Sequence, residues 1–387
     1  MAIRTAMDDA LEQAVESGSL PGVVALAADA NGVIYQGAFG KRAVGGAVEM
    51  TLDTVFFIAS MTKAITSVAA MQLVERGEIT LEEPLGARFP ELVAPQVLEG
   101  FDTAGAPILR PARRPITLRH LLTHTAGYSG ANWNGPMQRY LAMTAEERAR
   151  GGDRAMLHSP LVFDPGDGWE YGLSTDWVGQ VVEMVSGKRL DLYVEEQIAG
   201  PLGMTDTKFF IGPDQEARKV SMHRRHPDGS LEVIPWSFPQ TTGFVRGAGG
   251  LHSTGPDYLR FVQMLVGRGT REGVQILKSE TVADMARNQM GEITMPVMRT
   301  VAPLTSNDFE PFPGIVTKWG LGFAINTETG AGGRSAGSLA WGGIANTYFW
   351  IDPAKQLGGL IMTQILPFAD RAVLDTFTAF ERAVYGL

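Results

Sequence analysis

The sequence predicts an α+β chain: an antiparallel sheet flanked by helices, with a large, mainly helical domain inserted into it. Three observations carry this expectation. Strand-like runs joined by tight turns cluster near both chain ends, helical patterns dominate the stretch between them, and amphipathic helices open and close the sequence. At 387 residues the chain exceeds the size at which one core usually stops growing. Two parts are therefore expected, a discontinuous sheet domain over 1–80 and 241–387 and an inserted domain over 81–240.

The elements follow in order. Met7, Ala10, Leu11, Ala14 and Val15 recur at helical spacing, so 5–17 reads as a helix ending near Gly18. The apolar runs 22–29 and 33–39 read as strands joined through the hairpin turn Asn31-Gly32. Residues 60–76 read as a helix closed by Gly77. From about 80 to 240 the pattern is one of loops and helices rich in Pro and Gly, with few strands. Helices are expected from Ser174 to Gly187 and from Thr254 to Gly267. Strand signals return at 319–325, 337–342, 346–351 and 357–363, with a turn at Asp352-Pro353 and a last helix over about 368–384.

Composition excludes several classes of function. Apolar residues make up 44% and charged residues 19%, which is ordinary for a globular protein. A net charge of -9 without any Lys/Arg block argues against nucleic acid. The absence of cysteine removes disulfides, thiolate metal sites and a Cys nucleophile. No run reaches the ~20 apolar residues of a membrane span. Asp8 and Asp9 stand where a signal peptide would carry its apolar core, so a cytoplasmic protein is expected.

The chemistry begins at Ser60-Met61-Thr62-Lys63. A Ser three residues before a Lys puts both side chains on one helical face, about one turn apart. An amine held against a hydroxyl in this way can make serine a nucleophile. Tyr171 lies on the Pro/Gly-rich segment Asp164–Leu173 just before a helix, a position from which a phenol can enter a cleft. Trp341-Gly342-Gly343 lies on a strand, where two glycines are costly unless backbone or ligand approaches closely. Leu121–Gly127 reads as the end of a short helix followed by a turn.

In this order, S-x-x-K, H-T-x-G, Tyr-x-x and W-G-G resemble the serine β-lactamase and penicillin-binding-protein superfamily. Within it the chain is similar to the family VIII carboxylesterases, which resemble class C β-lactamases. The likeness runs over roughly 5–385 and includes Gly247–Thr254 and Thr347–Pro353. The resemblance implies a β-lactamase/transpeptidase-like fold and an acyl-enzyme on Ser60, with Lys63 and Tyr171 handling protons. Either a neutral Lys63 or a Tyr171 phenolate beside a charged Lys63 can act as base. The oxyanion would sit between the backbone N–H groups of Ser60 and Ile344. Trp341, Gly342, Gly343 and Tyr128 would contact substrate.

Two departures bear on substrate class. Trp341 stands where β-lactamases carry the Lys of Lys-Thr-Gly, and Leu173 where many carry the Asn of Tyr-x-Asn. Both favour a neutral ester over an anionic β-lactam. The expected activity is hydrolysis of a small-molecule carboxylic ester with a short acyl chain, without metal or cofactor and with no nucleic acid or membrane as partner. β-Lactamase, D-amino-acid peptidase or amidase, acyltransferase and non-turnover penicillin-binding chemistry remain alternatives on the same site.

Competing motifs are weaker. Gly333-Arg334-Ser335-Ala336-Gly337 matches G-x-S-x-G, but that triad needs a later His and all six histidines lie at or before His252. His120 and His124 have the i, i+4 spacing of a zinc pair, yet Leu121 replaces the Glu of H-E-x-x-H. His124 reads as a turn residue beneath the cleft, and His223 and His226 as exposed. Trp133 and Trp236 are candidates for an acyl pocket.

Overall fold

The computed structural model describes residues 2–238 and 243–387. The boundary expected at 240/241 lies outside the described residues. The chain opens with helix α1 (Ala2–Glu16) and the hairpin β1 (Gly22–Asp29) and β2 (Gly32–Gly40). Asp29 Oδ1 closes that turn by accepting the N–H groups of Asn31 at 2.7 Å and Gly32 at 3.1 Å. Helix α2 (Thr62–Glu75) follows, and α3 (Ser174–Ser186) and α4 (Gly255–Val266) come later. The distal strands are β3 (Thr317–Trp319), β4 (Ala324–Asn326), β5 (Leu339–Gly343), β6 (Thr347–Asp352) and β7 (Leu357–Met362), ahead of α5 (Arg371–Val384).

These strands form one seven-stranded sheet in the order β3-β4-β5-β6-β7-β1-β2, and every neighbouring pair is antiparallel. Both chain ends meet where β1 pairs with β7, with Val24 opposite Met362 and Ala28 opposite Gly358. Successive residues of β6 show how the sheet is covered. Phe349 packs on Tyr258 of α4 at 5.3 Å between ring centroids, and Trp350 packs on Phe377 of α5 at 5.5 Å. Adjacent strand residues point to opposite faces, so α4 lies on one face and α5 with α1 on the other. Burial on both faces explains why β6 is apolar or aromatic from Tyr348 to Ile351 without alternation. The expected antiparallel sheet flanked by helices is the fold observed.

The structure corrects two local expectations, at 319–325 and at His223, and adds one hairpin to the stretch after 80. The strand expected over 319–325 is a hairpin, because Gly322 adopts a φ of +101° and turns the chain between β3 and β4. The stretch after 80 contains an antiparallel hairpin, Gln96–Phe101 with Pro107–Pro111, whose turn is closed by Asp102 Oδ1 on the Ala106 N–H. His223 is fully buried, not exposed. It lies in the short strand His223–Arg225, where its ring accepts the Val44 N–H and meets the Gln364 carbonyl. No helix among the described residues is long and apolar enough to cross a membrane.

Candidate active site

Ser60 sits on a single 3-10 turn, Ala59–Met61, that leads into α2. The preceding Ala59 takes a φ of +45°, a left-handed conformation that costs a non-glycine residue of order 1–3 kcal/mol. The surroundings hold it there. Ile58 N–H bonds the Leu251 carbonyl at 3.1 Å, and Thr62 Oγ1 accepts the Leu251 N–H at 3.1 Å. Behind it, a side chain on Gly343 would place a Cβ 2.3 Å from the Ile58 carbonyl oxygen. The second glycine of W-G-G is thus required for the end of β5 to lie against the Ser60 turn.

One helical turn on, Lys63 is buried and donates to Ser60 Oγ at 3.1 Å and to the Ala248 carbonyl at 2.8 Å. The loop carrying Ala248 is fixed from two sides. Thr66 Oγ1 donates to the Gly247 carbonyl at 2.7 Å, and Asp176 Oδ1 accepts the Ala248 N–H at 3.0 Å. Asp176 lies in the first turn of α3 and is fully buried, so it sets the carbonyl that aims the Lys63 amine.

Tyr171 closes the constellation. Lys63 Nζ lies 4.6 Å from the centroid of its ring, and its hydroxyl accepts a hydrogen bond from Trp341 Nε1 at 3.0 Å. The loop before it is anchored by Asp164, which takes both terminal nitrogens of Arg110 at 2.9 and 2.8 Å and the Arg113 N–H at 2.7 Å. Gly172 is needed next to Tyr171, because a Cβ there would come within 2.4 Å of the Ser129 backbone. His124 packs under the phenol at 4.9 Å and stands edge-on to Trp319 at 5.1 Å. Burial, reinforced by the charge of Lys63, holds its imidazole well below the usual histidine range, so it is neutral.

Ser60, Lys63 and Tyr171 open onto a cavity of about 420 Å³. Its walls carry several aromatic rings, Phe57, Trp133, Trp236, Phe238, Trp341 and Phe368 among them, and Gly342 and Ile344 also line it with Ser60. The size and mixture suit a small organic molecule with one reacting polar group.

The family model described as Beta-lactamase matches residues 7–383. The chain belongs to the beta-lactamase family. Among curated relatives, the monacolin J acid methylbutanoyltransferase of Aspergillus terreus is 35% identical over 397 residues, covering 98% of this chain and 95% of the relative. The lovastatin esterase of Penicillium rubens is 32% identical and covers 98% of each chain. Among solved structures, unliganded simvastatin synthase (LovD) from Aspergillus terreus superposes with a TM-score of 0.86 at 32% identity, over 99% of this chain and 98% of that one. A family VIII carboxylesterase superposes at 0.69 with 18% identity, which shows the fold alone.

Within this beta-lactamase-family fold the structure brings together Ser60, Lys63, Tyr171, Trp341, Gly342 and Ile344. It does not bring Tyr128 there. That ring is 2% exposed and stacks near Trp177 at 6.4 Å, lining a separate small cavity, because the backbone at Tyr128 pairs with Leu161 and turns the side chain away. The acyl-pocket candidates Trp133 and Trp236 both line the Ser60 cavity. Ser335 lies on the loop before β5, its N–H bonded to Asp352 at 2.8 Å, and it does not line the Ser60 cavity. His120 accepts the Thr117 N–H and caps a short helix.

Sequence reasoning missed Asp176 and Arg246. Both line the cavity and face each other, Arg246 Nε to Asp176 Oδ1 at 3.3 Å. Neither belongs to a motif, and their 70-residue separation hides the pair. Arg246 also qualifies the expectation drawn from Trp341: the cavity lacks a cation on β5 but gains one from the loop ahead of Gly247.

Proposed function

We propose that this protein is a serine acyl-transfer enzyme that hydrolyses carboxylic esters with short acyl chains through an acyl-Ser60 intermediate. The observation that carries this reading is Lys63 Nζ at 3.1 Å from Ser60 Oγ, with the Tyr171 ring within 4.6 Å of the same amine. Ser60 Oγ attacks the ester carbonyl and gives its proton to Lys63 or Tyr171. The tetrahedral oxyanion lies between the N–H groups of Ser60 and Ile344, each such donor being worth about 2.7–4 kcal/mol of transition-state stabilisation. The C–O bond to the alcohol breaks, the stored proton goes to the leaving alkoxide, and water repeats the attack on the acyl-enzyme.

Acylation of an alcohol in place of water is the second reading. It is supported by the relative named as a methylbutanoyltransferase and by the aromatic walls, which can hold an organic acceptor where water would otherwise enter.

One experiment tests both. The enzyme is given p-nitrophenyl butyrate with and without an alcohol acceptor, and product ester, free acid and acylated peptide are quantified by mass spectrometry. Continuous release of p-nitrophenol with butyryl label on the Ser60 peptide is the expected result, and the ester-to-acid ratio divides hydrolysis from transfer. A single stoichiometric burst without turnover, or label on another peptide, overturns the reading.

A further inference from the structure

Arg246 gives the cavity a charge that acyl-Ser60 chemistry does not use. Its side chain remains 36% exposed while lining the wall. One edge of the guanidinium is taken, with Nε 3.3 Å from Asp176 Oδ1 and Nη2 3.4 Å from Oδ2. A guanidinium has five N–H groups in a rigid fork, and these contacts use two. Among the described residues Nη1 has no protein partner.

The charge count points the same way. Asp176 is the single carboxylate among the described lining residues, against two cations, Lys63 and Arg246. Asp176 is itself fully buried and tied to the Ala248 N–H at 3.0 Å, so it holds the plane of Arg246 without covering its Nη1 edge. A fork already oriented by a buried carboxylate loses little side-chain freedom when it takes a second, planar anion. The cavity it lines also carries apolar rings such as Trp236 and Phe57, whose low polarity strengthens a charge contact made inside it.

We propose that Arg246 forms a carboxylate-binding subsite of this cavity, so that the preferred ester, or the preferred acyl-accepting alcohol, carries a carboxylate. The inference rests on the acyl-Ser60 reading and names the substrate class for it. The carboxylate sits away from the reacting carbonyl and is bound alike before and during reaction, so it acts chiefly on KM.

Two arms locate the carboxylate. The first compares hydrolysis of p-nitrophenyl butyrate with that of mono-p-nitrophenyl glutarate. The second compares butyryl transfer from p-nitrophenyl butyrate to a terminal hydroxy acid and to the simple alcohol of equal length. The wild type favours the carboxylate-bearing member in one arm, and Arg246→Gln lowers the ratio of kcat/KM values in that arm by about tenfold to a hundredfold. Arg246→Lys falls between, since it keeps the charge and loses the fork. Arg246→Met serves if the Gln variant loses its thermal transition. No preference in either arm, or a preference that survives Arg246→Gln or its Met replacement undiminished, overturns the subsite while leaving the acyl-enzyme intact. Failure of the wild type to form acyl-Ser60 from any of these esters overturns the functional reading and the subsite together.

Discussion

Trp341→Phe tests whether the β5 indole sets the Tyr171 phenol for the role proposed for it. The substitution keeps an aromatic ring and deletes one donor, the Nε1–H that meets Tyr171 Oη at 3.0 Å. Both residues are buried, at 4% and 7% exposure, so only water from the cavity they line can offset the lost bond. A bond to a neutral phenol is worth about 0.5–1.5 kcal/mol and one to a charged acceptor about 1.5–3 kcal/mol. If a Tyr171 phenolate is the base, kcat/KM for p-nitrophenyl butyrate falls by about tenfold to a hundredfold or slightly more. If Lys63 is the base and the phenol keeps its proton, the fall stays below about tenfold. The indole also packs edge-on to Trp319 at 4.6 Å, so the smaller ring lowers stability by about 1–3 kcal/mol, read separately by thermal melting. Tyr171→Phe and the double variant complete a cycle. A folded Trp341→Phe enzyme within about twofold of wild type, or additive losses in the cycle, would refute the claim that this bond positions the base.

Other outcomes follow from the same geometry. Ser60→Ala abolishes turnover and the acyl adduct, whereas Ser335→Ala keeps most of both, since its structural contact to Asp352 is made by the backbone N–H. Glu381→Ala strands Arg334, which is 6% exposed and held by two bonds of 2.6 Å, and should cost about 3–5 kcal/mol by urea titration. Replacing the pair with Met and Leu should recover most of that loss. Burial lowers the His252 pKa to about 4, so its folded form takes up a proton later than the unfolded chain does. Stability is therefore unaffected above about pH 6.5 and falls by about 1.4 kcal/mol per unit as pH drops from there toward 4. His124 and His223, also held low by burial, add to the same slope. His252→Gln should flatten the slope of the urea midpoint across that window, and an unchanged slope counts against the assignment.

Local chemistry was legible wherever neighbours in sequence are neighbours in space. The hairpin at Asn31-Gly32 and the helix ends at Gly187 and Gly267 follow from turn and cap preferences within a few residues. The pairing of Ser60 with Lys63 is a helical repeat, so four residues were enough to anticipate the 3.1 Å contact. The misreadings share the opposite cause. Tyr128 follows the H-T-x-G turn directly, yet its direction depends on pairing with Leu161. His223 lies among charged residues, yet Gln364 and Val44 bury it from distant parts of the chain.

The amino-acid order by itself determined the antiparallel sheet class, the seryl-lysyl pair and the strand glycines. Each depends on short-range periodicity, or on a glycine whose side-chain absence is visible in the text. Only the tertiary structure decided which side chains share the cavity. Trp341 and Tyr171 are 170 residues apart, and Arg246 and Asp176 are 70 apart. Hydrogen bonds and ion pairs of that range are formed by the packing of β5, α3 and the loop ahead of Gly247, and no local pattern encodes which of many donors and acceptors will meet. The orientation of Tyr171 and the charge of the cavity therefore come from the packing of separate elements, while the Ser60–Lys63 contact comes from one helical turn.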